Sequence, residues 1–509
     1  MKLQILPALV ASLALAAPAH ANGRFPRAQR VIEDPSDGSH LLVGATYGML
    51  ETTDGGKNWY LLCESSFAGQ MLGTVDSTFD VASGGAILAA YGDAMTRSEA
   101  PGCDFAPVLG GDMQNRVVDF SVSASNPANV IALVSRRPAG GRGVSALTLS
   151  SDGGAHFTEL GEVPTVGNFA TTVDRAPSDA GRVYVSGLDD AGQAVLLVSV
   201  DGGASFETRV IPGLGAAGFL ETPYIAAVHP ARADVVFVRT VGRPQADIPM
   251  PEDALLVTFD AGATWRELLR AGAEIYGFAL TPDGDRVFAG FGNPRDLPID
   301  SDALGIYHAS MGTDAVGAFT HATHEAVSCL KFTSRGLFAC ATDFEAGFQL
   351  GLRPDADLSG GLASFTPLLE LADVQGPLAC PAGSSGERCA ADWPTTCAAF
   401  GASCTAGGAS GAGGMTSMGG SSAAGAPTSG GAPSAGNAAG GSVSTSGRAG
   451  APTREPSPTP SSSCACRTPR RSADGYLVVS ALLVACVRRR RRALAANAST
   501  VKALAQPEP

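Results

Sequence analysis

The sequence predicts an all-β fold: a single seven-bladed β-propeller of four-stranded antiparallel blades over residues 24–375. Three observations carry that prediction. An eight-residue pattern, Ser/Thr-x-Asp-x-Gly-x-x-aromatic, returns along the chain. Strand-length apolar runs recur in units of roughly 45–60 residues, a period that means a solenoid, propeller or array. Asp/Gly and Pro-containing turns separate the runs, which gives each unit four short strands, and radial packing of such units hides their edges.

The repeated pattern explains itself physically. Good copies begin at Thr52, Ser150, Ser199 and Thr258, and a decayed one at Ser98 keeps the Ser, the Gly and the aromatic but loses the Asp. Asp–Gly between two strand-like runs signals a hairpin, because Gly takes positive φ without steric cost. The Asp carboxylate and the Ser or Thr hydroxyl accept bonds from the turn's own backbone N–H groups. The aromatic then folds back and seals a thin hairpin. Thr52, Asp54, Gly56 and Trp59 are therefore expected to be structural, not catalytic. The same holds for Ser150, Asp152, Gly154 and Phe157, for Ser199, Asp201, Gly203 and Phe206, and for Thr258, Asp260, Gly262 and Trp265.

These residues are those of the Asp-box of the BNR repeat, and the chain resembles the BNR-type β-propellers. That group includes sialidases, sortilin-type receptors and photosystem-assembly-factor-like proteins. The resemblance implies the fold and names no single activity, since one fold hosts many. Counting units places blades at 31–64, 75–110, 116–162, 169–212 and 224–269. Two more start at 275 and 327, with worn patterns around 314–319 and 355–365. Those worn patterns leave six or eight blades open. The sequence also leaves open whether 24–31 closes the ring by joining the last blade.

The two ends of the chain read as targeting segments. Residues 1–21 have a positive start at Lys2, an apolar stretch over 5–17 and Ala19-His20-Ala21 as a small-x-small cleavage pattern, so a secretory signal cut after Ala21 is expected. A net charge of −13 argues against a nucleic-acid partner. Eleven cysteines in an exported chain favour disulfides. Cys329 and Cys340 flank a turn at 334–336 and would sit opposite each other across a hairpin. Cys63 with Cys103 is the second expected pair. Cys380, Cys389, Cys397 and Cys404 surround Trp393 in a segment, 376–404, too short for a core of its own. Two bridges within it are expected, in any of three connectivities. Zinc is the rival reading, but the spacing lacks a Cys-x₂-Cys pair.

Residues 405–463 are Gly, Ala, Ser, Thr and Pro with almost nothing large and apolar, and are expected to be a disordered tether. Beyond them come Cys464 and Cys466, a short apolar run over 475–487, the cluster Arg488, Arg489, Arg490, Arg491 and Arg492, and a tail at 493–509. The apolar run is shorter than the roughly twenty residues a spanning helix needs, and the arginines would hold its end cytoplasmic. This arrangement resembles the MYXO-CTERM sorting signal of myxobacterial surface proteins. The resemblance implies processing at Cys464 or Cys466, retention by the arginine cluster and display on the cell surface. A permanent single-span anchor is the alternative.

No catalytic residue, cofactor site or metal site is assigned from the sequence. Sialidase activity within the resembled group would need three convergent Arg with a Tyr, and the group's Phe-Arg-Ile-Pro signature is absent. Arg182, Arg232 and Arg286 sit beside turns. Asp189 with Asp190, or Asp296 with Asp300 and Asp302, would serve glycoside hydrolysis only if they faced each other across a groove. Residues 355–360 echo a calcium loop without its twelfth-position Glu, and His308, His321 and His324 lack metal-ligand spacing. The longest insertions, 241–254 and 291–304, extend one face of a rigid scaffold, where recognition usually lives, and as neighbouring loops they are expected to form an acidic ligand or partner surface. The expected function is therefore an exported, surface-displayed binding, adhesion or scaffold module. Its partners would be an envelope protein or polysaccharide, the membrane through the C-terminal segment, and the export and sorting machinery. A glycan-active hydrolase is the alternative.

Overall fold

The computed structural model describes residues 26–401, apart from 68–77, 111–114, 138–140, 168, 215–220, 243–251, 294–298, 356–357 and 359. The expected signal with Ala21, Cys404, the tether, Cys464, Cys466, the apolar run, Arg488–Arg492 and the tail lie outside the described residues. Seven four-stranded sheets follow one another along the chain, each an antiparallel meander whose spatial order is the chain order. They cover 28–63, 78–110, 115–162, 170–210, 222–271, 274–321 and 329–369. The fold is a seven-bladed β-propeller, and the worn turns of blades six and seven still connect a third to a fourth strand.

Burial explains why the strands read as they do. The first strands of the blades neighbour one another around the axis, and each blade is covered on both faces by its neighbours. Inner strands are therefore apolar runs without alternation: all six residues of Ala194–Ser199 and all seven of Glu274–Leu280 are buried. Outermost strands such as Thr158–Glu162 and Glu207–Val210 are mostly exposed and polar. Blades meet through large side chains, as where the Phe237 and Phe278 rings lie 5.1 Å apart between blades five and six. Bulges near the start of the first strands free backbone N–H groups, which polar side chains of the preceding blade satisfy. Asp119 Oδ2 accepts from Val173 N (2.9 Å), Thr172 Oγ1 from Ile225 N (2.9 Å) and Asp253 Oδ2 from Ile275 N (2.9 Å).

The ring closes without a shared strand, since Ala28–Asp34 starts blade one within its own sheet. Across the seam, Ala28 N donates to Gln349 Oε1 (2.8 Å), Ser328 Oγ to Ala28 O (2.6 Å) and Trp59 Nε1 to Leu368 O (2.8 Å). After blade seven the chain crosses to the outer edge of blade one. There Leu61 N donates to Gly376 O and Leu378 N to Leu61 O, both at 2.8 Å, so that 376–378 runs parallel to Tyr60–Cys63.

Two disulfides then fix this strap, and they correct the expected pairing. Cys63 bonds to Cys389 (Cα–Cα 5.1 Å) and Cys103 to Cys380 (Cα–Cα 5.3 Å). Cys63 and Cys103 are not partners, and Cys380 and Cys389 staple their segment to the ring instead of to itself. The physical reason is burial. A stretch too short to form its own core gains one by lying on blades one and two, where Cys389 and Cys397 become fully buried. The strap ends in the helix Cys389–Phe400. Cys397 is disulfide-bonded as well. Cys329 and Cys340 are direct cross-strand partners and form the third bridge, Cα–Cα 4.8 Å. Among the described residues no helix is long and apolar enough to cross a membrane.

Candidate functional site

The four repeated turns all join a third strand to a fourth and share one hydrogen-bond plan. The leading hydroxyl donates to one carboxylate oxygen and accepts from the N–H of the glycine two residues after the Asp: Ser199 Oγ lies 2.8 Å from Asp201 Oδ1 and 2.8 Å from Gly203 N. The second carboxylate oxygen accepts from the side chain just before the aromatic. That residue is Asn58 (2.7 Å), His156 (2.7 Å), Ser205 (2.5 Å) or Thr264 (2.6 Å). Sequence reasoning missed this position, although a polar residue stands there in every good copy. These bonds hold the carboxyls low. The Asn58 amide depresses Asp54, His156 depresses Asp152, and the Ser205 hydroxyl and N–H bring Asp201 to about 2. At Asp260 burial pulls the other way and the Thr264 bonds outweigh it. A carboxylate so saturated has no spare basicity for proton transfer.

Each such turn also bonds to the start of the second strand or the turn before it in its own blade, as Gly153 N to Ala128 O and Gly202 N to Gly181 O. All these turns therefore share one face of the ring. Arg182, Arg232 and Arg286 sit on that face and do not converge. Arg182 pairs with Asp234 (2.8 Å), Arg232 reaches Thr313 O (2.5 Å), and Arg286 lies 3.2 Å from His308 Nδ1. In blade one His40 bridges Asp34 (3.1 Å) and Glu51 (2.9 Å), all three buried. Its pKa is raised, first by the Glu51 hydrogen bond. A small cavity of about 30 Å³, room for a water, opens between the first strands near this end. Arg30, Glu33, Asp80 and Lys331 are among its lining residues, and Arg30 lies 3.9 Å from Asp80. This lining is neither three arginines with a tyrosine nor a ring of small residues.

The opposite face carries both insertions. The segment 241–254 joins the second and third strands of blade five, and 291–304 makes the same connection in blade six, so their described ends lie on one face of adjacent blades. Around their described ends lies a partly buried charged and aromatic cluster. Glu221, 6 % exposed, accepts from Arg270 Nη1 at 2.7 Å, and its other oxygen has no hydrogen-bond partner among the described residues. Arg270 also binds Glu267, and these carboxylates raise its pKa further, Glu267 first. Tyr276 OH donates to Glu274 Oε2 (2.9 Å), and the buried Arg239 guanidinium stands 4.9 Å over the Tyr224 ring. Asp253 clamps the base of the blade-five insertion by accepting from Gly242 N at 2.9 Å.

Beside the blade-six insertion, Tyr307 and His321 stack at 4.0 Å as cross-strand partners, with His324 edge-on at 4.1 Å. Asp300 caps a turn through Asp302 N (3.0 Å). Asp189 accepts from Ala191 N and Gln193 N within its own turn, and Asp190 pairs with Arg142 of blade three. Asp355 is tied to Arg353 at 2.8 Å. Among the described residues no three His, Cys, Asp or Glu side chains gather as a metal site would require. Asp296 lies outside the described residues.

No family model matches the chain, and no curated protein matches it. Among solved structures it is similar to an ancestral GH74 enzyme (13% identity, TM-score 0.47) and to the GH74 xyloglucanase from Xanthomonas campestris (17%, 0.44). Each comparison covers 63% of this chain, which spans about half of either enzyme, 45% and 51%. It is also similar to YCF48 from Cyanidioschyzon merolae, at 15% identity and TM-score 0.39, over 63% of this chain and 94% of that one. At these identities and TM-scores the likeness carries no statement about activity, and the seven four-stranded blades are read from this chain's own sheets.

Proposed function

We propose that the chain is an exported propeller, displayed at the cell surface, that binds an envelope polysaccharide or protein through the face of blades five and six. The observation that carries this reading is that the two longest insertions make equivalent connections of adjacent blades, with their described ends next to Glu221, Arg270 and Glu274. A ring fixed covalently at its seam supplies a rigid base for such loops, and its disulfides suit an oxidising compartment. On this reading the repeated turns are Asp-boxes of BNR repeats, and the signal is removed after Ala21. The tail is sorted by Cys464 or Cys466, the apolar run and Arg488–Arg492. Removing 243–251 and 294–298 from the mature protein is the test. The variant should lose capture of envelope polysaccharide and protein fractions, and undiminished capture sinks the proposal. Surface protease accessibility in cells carrying Cys464→Ala with Cys466→Ala tests the display.

The glycan-active hydrolase remains the second reading, drawn from the half-partnered Glu221 carboxylate in the same cluster. It requires release of new reducing ends from a polysaccharide by the purified protein. Glu221→Gln should abolish that release while leaving the fold intact.

A further inference from the structure

We propose that residues 375–400 form a load-bearing latch, which passes tension from the C-terminal side of the chain into blades one and two and keeps it off blade seven. The biological sense of the latch rests on the reading that this side is the tethered one. The mechanics rest on the geometry alone.

A propeller whose first and last blades share no strand has a weak point. Here it is Thr366–Leu369, the outermost strand of blade seven, four residues long with Thr366 and Pro367 exposed. Pulled directly from its end, such a strand opens one hydrogen bond at a time. The strap changes where the load goes. Tension arriving from beyond residue 400 enters through the helix that carries the disulfide-bonded Cys397 and divides at Cys389, the first bridge on this side that leads into the ring. One path leaves through the sulfur bridge to Cys63, at the end of the outer strand of blade one. The other runs back to Cys380 and leaves through Cys103, in blade two. Everything between Cys380 and blade seven, including the parallel pairing of 376–378 with Tyr60–Cys63, lies behind both exits and carries no tension.

The receiving ends are built in. Cys63 is 2 % exposed and Cys389 fully buried. Directly after Cys63, Phe67 is wedged between Phe79 (5.1 Å) and Phe105 (5.5 Å), so blade one's exit is anchored in blade two's core. Near Cys380 the fit is close as well. Gly386 N donates to Cys103 O at 2.8 Å, and a Cβ at Gly386 would meet the Cys380 sulfur at 2.6 Å and Cys103 O at 2.9 Å. The two bridges span 326 and 277 residues. They thus enclose nearly the whole ring in covalent loops that tension on one end cannot unravel from that end.

The test is single-molecule force spectroscopy on the full mature chain, held between a handle in the exposed turn at Ala191 and the C-terminal end. Oxidised molecules should show no early step. Reducing the same folded molecules under load should introduce a low-force first step of about 9 nm, the length of the freed strap at roughly 3.4 Å per residue, followed by loss of blade seven. A Cys329→Ala, Cys340→Ala variant, in which the latch stays intact, should behave like the oxidised parent. An early step in oxidised molecules, or an unchanged trace after reduction, overturns the proposal. Because the handle supplies the tether, a failure of surface display in cells would leave this result standing.

Discussion

Trp59 and Trp265 occupy the same place in two of the repeated turns, yet the ring uses them differently. The indole N–H of Trp59 donates across the seam to Leu368 O at 2.8 Å. The indole N–H of Trp265 is buried with no hydrogen-bond partner among the described residues. Replacing Trp59 by Phe removes that bond, at about 1 kcal/mol, and leaves unfilled volume, at about 1 kcal/mol more. Trp265→Phe loses similar volume but also removes an unsatisfied buried donor, whose burial costs about 1–3 kcal/mol. The first variant should therefore lose about 2 kcal/mol and the second should lie near zero or be stabilised. Guanidinium unfolding of the oxidised proteins, followed by far-ultraviolet circular dichroism at matched slopes, reads the difference as a shift in midpoint. If Trp265→Phe costs as much as Trp59→Phe, the seam hydrogen bond is not what distinguishes the two positions.

Thr264→Val removes the hydroxyl that donates to Asp260 Oδ2 at 2.6 Å and should cost about 1 kcal/mol in the same assay. Breaking Cys329–Cys340, which spans 11 residues, should cost about 3 kcal/mol in the chain-entropy model. Breaking Cys63–Cys389 with Cys103–Cys380 intact reopens a loop of about 50 residues and should cost about 4 kcal/mol. The reverse order in denaturation midpoints would count against the closure argument. His40, whose pKa is raised from 6.5 by Glu51 and Asp34, contributes stability that is complete below its ordinary value. That stability drains as pH rises through the higher folded value. Melting temperature should therefore fall from neutral to mildly alkaline pH, and less so in His40→Gln. Asp201 works in the opposite sense: its contribution is present above 3.8 and is lost only as pH falls through about 2.

The blade hairpins were legible because their causes are local. Every bond of the Ser199–Asp201–Gly203–Ser205 set joins residues no more than four apart, so residue order alone specifies it. The Cys329–Cys340 bridge was legible for the same reason, since a two-residue turn sets the register that puts them opposite. The candidate site was legible only as two long loops. Sequence spacing marked both insertions and the one face they extend, but not the reason, which is that each joins a second strand to a third in adjacent blades. Nor did it mark Glu221 and Arg270, partners 49 residues apart that meet only once the blade is folded.

Chain chemistry by itself determined the repeating hairpin, the strand content and the cysteine-rich end, because each follows from neighbours along the backbone. Only the tertiary structure decided between seven blades and six or eight, the partners of Cys63 and Cys103, and the meeting of Glu221 with Arg270 beside the insertions. Closing a ring brings residues 326 positions apart into contact. Which ones meet depends on the summed rotation of all the blades and not on any one stretch of sequence.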